Sequence, residues 1–182
     1  IDEDVVPLCS ALAAQEHGDA RRALDLLRMS AELAERQKSP RITKKHVRRA
    51  QNKIEIDRII EVVRTLPTQS KLVLFAILLQ DKHNKKNDTS GAITTGEVYE
   101  IYKGLSKKTR SDSLSQRRIA DLISELDMLG IITARVISKG RYGRTRDIRV
   151  SSSINEIWNI LKDDDIFEQL SNYKFQGQTR LI

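Results

Sequence analysis

Six cations and one aromatic ring fall in two short runs whose chemistry suits a polyanion. The first run is Ser115-Gln116-Arg117-Arg118, and the second is Lys139-Gly140-Arg141-Tyr142-Gly143-Arg144-Thr145-Arg146. A guanidinium presents a planar fork of donors that matches phosphate oxygens or the O6 and N7 atoms of guanine, and a glutamine amide matches adenine in the same way. The candidate DNA contacts are therefore Ser115, Gln116, Arg117, Arg118, Lys139, Arg141, Tyr142, Gly143, Arg144, Thr145 and Arg146. No comparable set exists for catalysis. His17, His46 and His83 are scattered, which supports neither a metal site nor a histidine-based reaction centre.

The surrounding residues say how these groups are held. Ile119, Leu122, Ile123, Leu126 and Leu129 repeat at the spacing of one helix stripe, so a helix is expected from Ser115 to Leu129. Ser113 with Gln116 three residues later reads as a capping box, and Gly130 is placed to end the helix in the left-handed conformation. Beyond it Ile132, Ala134 and Val136 alternate with Thr133, Arg135 and Ile137, and Arg146, Ile148 and Val150 alternate on the return. Arg135 and Arg149 belong to the solvent face of that hairpin. A helix that feeds directly into a hairpin with a basic tip is a winged-helix signature. In that fold the first helical turn meets base edges in the major groove, and arginines on a narrow tip enter a minor groove. The bland counterparts are a solvated helix face, helped by Asp121 and Glu125, and a solvated hairpin.

The rest of the chain reads as helices. Asp2 to Gln15 carries Val5, Leu8, Cys9 and Leu12 on one face and is broken at His17-Gly18-Asp19. Ala20 to Gln37 follows, with Leu24, Leu27, Ala31 and Ala34 as its expected buried stripe. After the turn at Ser39-Pro40, Thr43 caps a third helix bearing Lys44, Lys45, Arg48, Arg49 and Lys53, read as a solvated face, with added phosphate contacts as the alternative. Ile56 to Leu66 continues as a connector until Pro67. Lys71 to Gln80 is apolar nearly all round and marks a buried helix, and Asp81 to Gly91 is expected as an exposed loop. Thr94-Thr95-Gly96-Glu97 is another capping box, opening a helix with Val98, Ile101, Tyr102 and Leu105 inward. Ile154 to Leu170, with Ile157, Trp158 and Leu161, reads as a closing helix. The fold class is mainly α: a small helical bundle at 1–58, a winged helix with a β-hairpin wing at 59–170, and a tail at 171–182.

Charge agrees with an anionic polymer as partner. The 182 residues carry a net +7, but residues 1–37 hold 8 anions against 4 cations, and the excess lies in 38–58 and 105–150, each at +6. The single cysteine, Cys9, excludes an internal disulfide and suits a reducing, intracellular setting. No apolar run approaches membrane-spanning length and no signal peptide opens the chain, so a cytoplasmic, nucleoid-associated location without a membrane partner is expected. Because Ile1 stands where a methionine would begin a protein, the chain is expected to be a piece of a longer one.

Four separated motifs carry a resemblance: Gly18-Asp-Ala-Arg-Arg-Ala-Leu-Asp-Leu-Leu27, Ile42-Thr-Lys-Lys-His-Val-Arg-Arg-Ala50, Ser124-Glu-Leu-Asp-Met-Leu-Gly-Ile131 and the Gly-Arg-Tyr-Gly-Arg-Thr-Arg tip. In order and spacing the chain resembles the archaeal Orc1/Cdc6 replication initiators up to about residue 170. The resemblance implies an AAA+ lid at 1–58 followed by a winged-helix domain that binds double-stranded origin DNA. It also implies the replicative helicase and other initiator paralogues as partners. Gly-Asp-x-Arg is that family's sensor 2 motif, so Arg21 would reach nucleotide phosphates in a neighbouring ATPase core that uses ATP or ADP with Mg. On an exposed helix face the same spacing also admits an ion pair between Arg21 and Asp25. Two other readings stand beside DNA binding: a protein-docking module that recruits the helicase, and a transcription regulator with a helical dimerisation segment. The Gly-Asp-Ala-Arg motif argues against the regulator.

The chain departs from the family at the nucleotide. There is no Gly-x-x-x-x-Gly-Lys-Ser/Thr, and the nearest string, Gly91-Ala-Ile-Thr-Thr-Gly96, runs into Glu97-Val98 where lysine and a hydroxyl must hold phosphate and Mg²⁺. By itself the chain is expected to have no cofactor and no enzymatic activity. Arg21→Ala is accordingly expected to leave duplex binding by these 182 residues unchanged. Calorimetry with ATP checks the premise, and saturable micromolar binding would contradict it.

Overall fold

The structure, a computed structural model, describes residues 1–16, 19–87, 92–138, 144–150, 154–164, 167 and 170. The chain divides into two compact units, Ile1–Arg58 and Ile59–Ile182.

In the first unit, α1 (Val5–Glu16) and α2 (Ala20–Arg36) join the first part of α3 (Lys44–Thr65) around Val5, Cys9, Leu12, Leu26 and Val47. Burial pushes the Cys9 thiol up, so it packs as a small apolar group. Asp19 caps α2 by accepting the Arg21 N–H at 2.9 Å. The expected stripe on α2 is corrected. Leu26, Ser30 and Ala34 are buried, whereas Leu24 is 65% exposed and Leu27 and Ala31 are only half-buried. Consecutive leucines left two overlapping stripes open, and the polar Ser30 disguised the real one. Its hydroxyl is satisfied by the Leu26 carbonyl one turn back, so it can lie in the core. At the start of α3 the Thr43 N–H donates to His46 Nδ1 at 3.0 Å, a capping arrangement with histidine in the usual place of glutamate. The helix then continues to Thr65, so the expected connector is its second part.

The second unit is built on α4 (Thr68–Lys86), whose residues Leu72 to Leu78 are all buried. Packed on it are α5 (Thr95–Lys108), α6 (Gln116–Met128), the hairpin β1 (Ile132–Ser138) and β2 (Arg144–Val150), and α7 (Ile154–Lys162). Three helices, a hairpin and a closing helix give the winged-helix topology, and the fold is mainly α, a small helical bundle followed by a winged helix. α4 is longer than expected, because residues 81–86 are helical rather than loop; an i, i+4 ion pair between Asp81 and Lys85 at 2.7 Å supports this polar turn. α7 ends at Lys162 rather than reaching Leu170, although Phe167 and Leu170 beyond it are buried. Trp158 stacks on Phe75 with ring centroids 5.0 Å apart, and Phe167 packs on the same ring at 5.2 Å.

The capping box expected at Ser113 is also corrected. The N-cap of α6 is Ser115, whose hydroxyl accepts the Arg118 N–H at 3.3 Å, while Ser113 pairs with Ser106. Thr94 and Glu97 do form the capping box of α5. At the far end of α6 Gly130 takes φ +73°. The Gly130 N–H meets the Asp127 carbonyl at 2.9 Å, and the Ile131 N–H meets that of Leu126 at 3.1 Å, which completes a Schellman turn. Ile131 and Leu126 are both buried, so this turn fixes where the hairpin begins, whereas Leu129 is 44% exposed.

The strands pair antiparallel, with Val136 opposite Arg146 and Ile132 opposite Val150. A further bridge joins Ile93 to Ile148, giving the hairpin a short third edge that alternation alone did not reveal. Val136, expected on the same face as the buried Ile132, is 64% exposed, because only the proximal part of the hairpin covers the core.

Gly130→Ala tests the turn. A Cβ there meets no atom within 4 Å, so any loss comes from the left-handed backbone alone. Unfolding stability is expected to fall by about 1–2 kcal/mol, read as a lower midpoint in urea; an unchanged midpoint would mean the turn does not depend on glycine.

Candidate nucleic-acid interface

The start of α6 is held in place by the buried side chain of Tyr102 on α5. Its hydroxyl donates to Gln69 Oε1 at 2.6 Å and accepts the Leu114 N–H at 3.1 Å. Gln69 Nε2 in turn donates to the Asp112 carbonyl at 3.2 Å. One phenol thus joins α4, α5 and the turn leading into α6. Burial pushes the Tyr102 phenol up, with Tyr99 adding to the rise against the opposing pull of the Leu114 N–H, so it keeps the proton it donates.

The hairpin is fixed to α6 from the other side. Asp127 Oδ1 accepts the Ala134 N–H at 3.0 Å, and Arg146 Nη2 donates to Ser124 Oγ at 2.7 Å. Between the two elements lies a groove of about 450 Å³ lined by Thr95, Gly96, Gln116, Arg117, Ala120, Val136, Arg144, Thr145 and Arg146. It brings together two residues of the first expected run and three of the second. Lys139, Arg141, Tyr142 and Gly143, expected at the tip, lie outside the described residues.

The remaining expected contacts are spent differently. Ser115 uses its hydroxyl as the helix cap, and Arg118 is drawn along the helix to Glu125 at 3.3 Å instead of lining the groove. Arg149 is held by Asp147 at 3.1 Å, and that hydrogen bond and charge raise its pKa further. Both Arg135 and Arg149 are exposed, as expected. Arg117 and Arg144 are exposed, and no ion pair joins either to an acid among the described residues. With Arg146, whose guanidinium meets the neutral Ser124 hydroxyl, they face the groove without an acidic partner among the described residues.

Sequence reasoning missed Thr95, Gly96, Ala120 and Val136. Ala120 had a signal, since it follows Gln116 and Arg117 by four and three residues and so shares their face. Thr95 and Gly96 come from the start of another helix and had none. Among the described residues no group of histidine, cysteine, aspartate or glutamate is arranged to hold a metal ion, and no helix is long and apolar enough to cross a membrane.

Comparison with known proteins agrees with this architecture. Residues 61–160 match the model of the Cdc6 C-terminal winged helix domain, and residues 1–52 match that of the Cdc6 AAA+ ATPase-type lid domain. The chain belongs to the Orc1/Cdc6 family. It is 60% identical over 164 residues to ORC1-type DNA replication protein 7 of Halobacterium salinarum, covering 90% of this chain and 31% of that protein. With the ORC1-type DNA replication protein of Pyrococcus abyssi it shares 50% identity, over 100% of this chain and 42% of the relative. The Orc1/Cdc6 chain thus spans about a third to two fifths of these relatives' length. Among solved structures, the Aeropyrum pernix ORC1 protein in complex with DNA is similar with a TM-score of 0.78 and 48% identity, over 93% of this chain and 43% of that one.

In the lid of this Orc1/Cdc6 chain, Arg21 is exposed near the start of α2, and no ion pair joins it to Asp25 among the described residues. The basic run on α3 is partly engaged within its own unit: Lys44 meets Asp4 at 2.7 Å, Lys53 meets Asp57 at 3.5 Å and Arg49 reaches Gln37 at 2.9 Å.

Tyr102→Phe keeps the ring but leaves the Leu114 N–H and the Gln69 amide oxygen without their partner. A loss of about 1–3 kcal/mol in unfolding stability is expected. Chemical denaturation checks it, and a wild-type midpoint would show that the phenol is dispensable.

Proposed function

We propose that this chain is the DNA-binding portion of a replication initiator and grips duplex DNA through the groove between α6 and the hairpin. The observation that carries the reading is the meeting of Gln116 and Arg117 with Arg144, Thr145 and Arg146 around one groove, with Arg117 and Arg144 uncompensated. The DNA complex of the similar Aeropyrum pernix ORC1 protein supports it. In this reading the first turn of α6 enters the major groove, where Gln116 and Arg117 meet base edges and the positive end of the helix favours nearby phosphate. Arg144 and the outer end of the hairpin lie along the adjacent backbone and minor groove, joined there by Lys139, Arg141, Tyr142 and Gly143, while the inner part of the hairpin stays beside the major groove that α6 enters. Ser115 and Arg118 sit at the edge of this contact, Ser115 as the cap that orients the turn.

The lid takes part in nucleotide response rather than DNA contact. Arg21 would sense the phosphates of ATP or ADP with Mg in the ATPase core of the longer protein, and origin DNA, the helicase and initiator paralogues would be partners of that whole assembly.

Duplex titration of the chain at several salt concentrations tests the DNA reading. If about five cations neutralise phosphates, log affinity should fall with log salt at a slope of about −4 to −5. Arg117→Ala should cost about 1–3 kcal/mol on a preferred site and relax sequence preference. Arg144→Ala should weaken preferred and scrambled duplexes by a similar factor and lower the slope by about one. Both residues are exposed, so melting temperatures should hold. A flat salt response, or full binding by the Arg144 variant, would move protein docking ahead of DNA reading.

A further inference from the structure

Val136 is out of place in a surface built only for phosphate. It is 64% exposed on β1, directly opposite Arg146, and lines the same groove as Gln116 and Arg117. Ala120, one turn along α6 from those two residues, adds a second methyl to the lining. A groove that met only sugar and phosphate would gain nothing from a branched aliphatic side chain held in water. The major groove offers such a side chain one apolar target, the 5-methyl of thymine, and the other base edges there are hydrogen-bonding groups.

We propose that Val136, backed by Ala120, is a specificity-determining residue that reads thymine methyl groups beside the bases met by Gln116 and Arg117. The inference rests on the DNA-binding reading of this groove and names what the groove selects: a thymine next to a purine held by the glutamine or arginine. The hairpin is suited to hold Val136 at that depth, because α6 anchors β1 two residues before it, through Asp127 at Ala134, and anchors its cross-strand partner Arg146 through Ser124. β-branching stiffens the side chain, so its methyls stay presented without first losing rotamer freedom. Together Gln116 and Val136 give the groove a preference for A·T pairs that depends on hydrogen bonds on one strand and on a methyl on the other.

Removing a thymine methyl alone isolates the contact. A random duplex pool is enriched on the 182-residue chain, and each thymine of the enriched site is replaced singly by deoxyuridine, which keeps every hydrogen-bonding group. At one or two positions the wild-type chain should lose about fourfold in affinity, the effect of one buried methyl. Val136→Ser should bind the thymine and uridine duplexes alike at those positions. Val136→Thr, which retains one methyl and the β-branched shape, should keep part of the discrimination, and its melting temperature guards against a folding defect. An enriched site indifferent to every uridine replacement would overturn this inference and leave the DNA reading standing. Discrimination that persists in Val136→Ser would overturn it too. If no duplex is enriched, the DNA-binding reading fails and this inference fails with it.

Discussion

A single buried hydroxyl sets the geometry of the second unit. Tyr102 donates to Gln69 on α4 and receives the Leu114 N–H, and Gln69 holds the Asp112 carbonyl just before it. In the segment between α5 and α6, the Leu114 N–H and the Asp112 carbonyl are therefore paired with side chains of α5 and α4. That matters because α6 is short, and the direction in which its first turn points is set by this entry segment. The other end is fixed independently by the left-handed Gly130 and the buried pair Leu126 and Ile131. Helix and hairpin are thus oriented by two small sets of bonds on opposite sides of one apolar core.

Charge is arranged around that frame by selective neutralisation. Of the arginines in this unit, Arg118 is balanced by Glu125 and Arg149 by Asp147, while Arg146 is steadied by the neutral hydroxyl of Ser124. Exposed pairs of this kind contribute little to stability. Their effect is to fix directions, and they leave Arg117 and Arg144 unpaired where α6 and β2 converge. In the lid, α3 shows the same economy, with Lys44 and Lys53 matched to Asp4 and Asp57.

Local signals were legible in the sequence wherever one turn of chain decides the outcome. Thr94 with Glu97, and Gly130 after an amphipathic stripe, each specify a helix end through chemistry confined to a few residues. The errors share one cause, a pattern with two local solutions that tertiary packing resolves. Ser113 and Ser115 are both competent caps, and the pairing of Ser113 with Ser106 removed it from the choice. Leu24 and Leu26 offer neighbouring stripes, and contacts with α1 and α3 selected the second. α4 ran on through residues 81–86 because an ion pair offsets poor apolar content. Of the groove, the arginines and Gln116 could be read from composition and periodicity. Thr95, Gly96 and Val136 could not, since their presence depends on how α5 and β1 fall beside α6.

The bridge between Ile93 and Ile148 gives the hairpin the mechanics of a cantilever. Two strands alone are marginal in water, and here the root is clamped: the Ile148 N–H meets the Ile93 carbonyl at 2.9 Å, one residue before the Thr94 cap of α5. Beyond Ile148 the outer part of β2, from Arg144 to Arg146, pairs with β1 and is tied to α6 by the bond from Arg146 to Ser124. A load applied at Arg144 would pass along β2 to this root, whose partner Ile93 leads directly into α5, the helix that carries Tyr102.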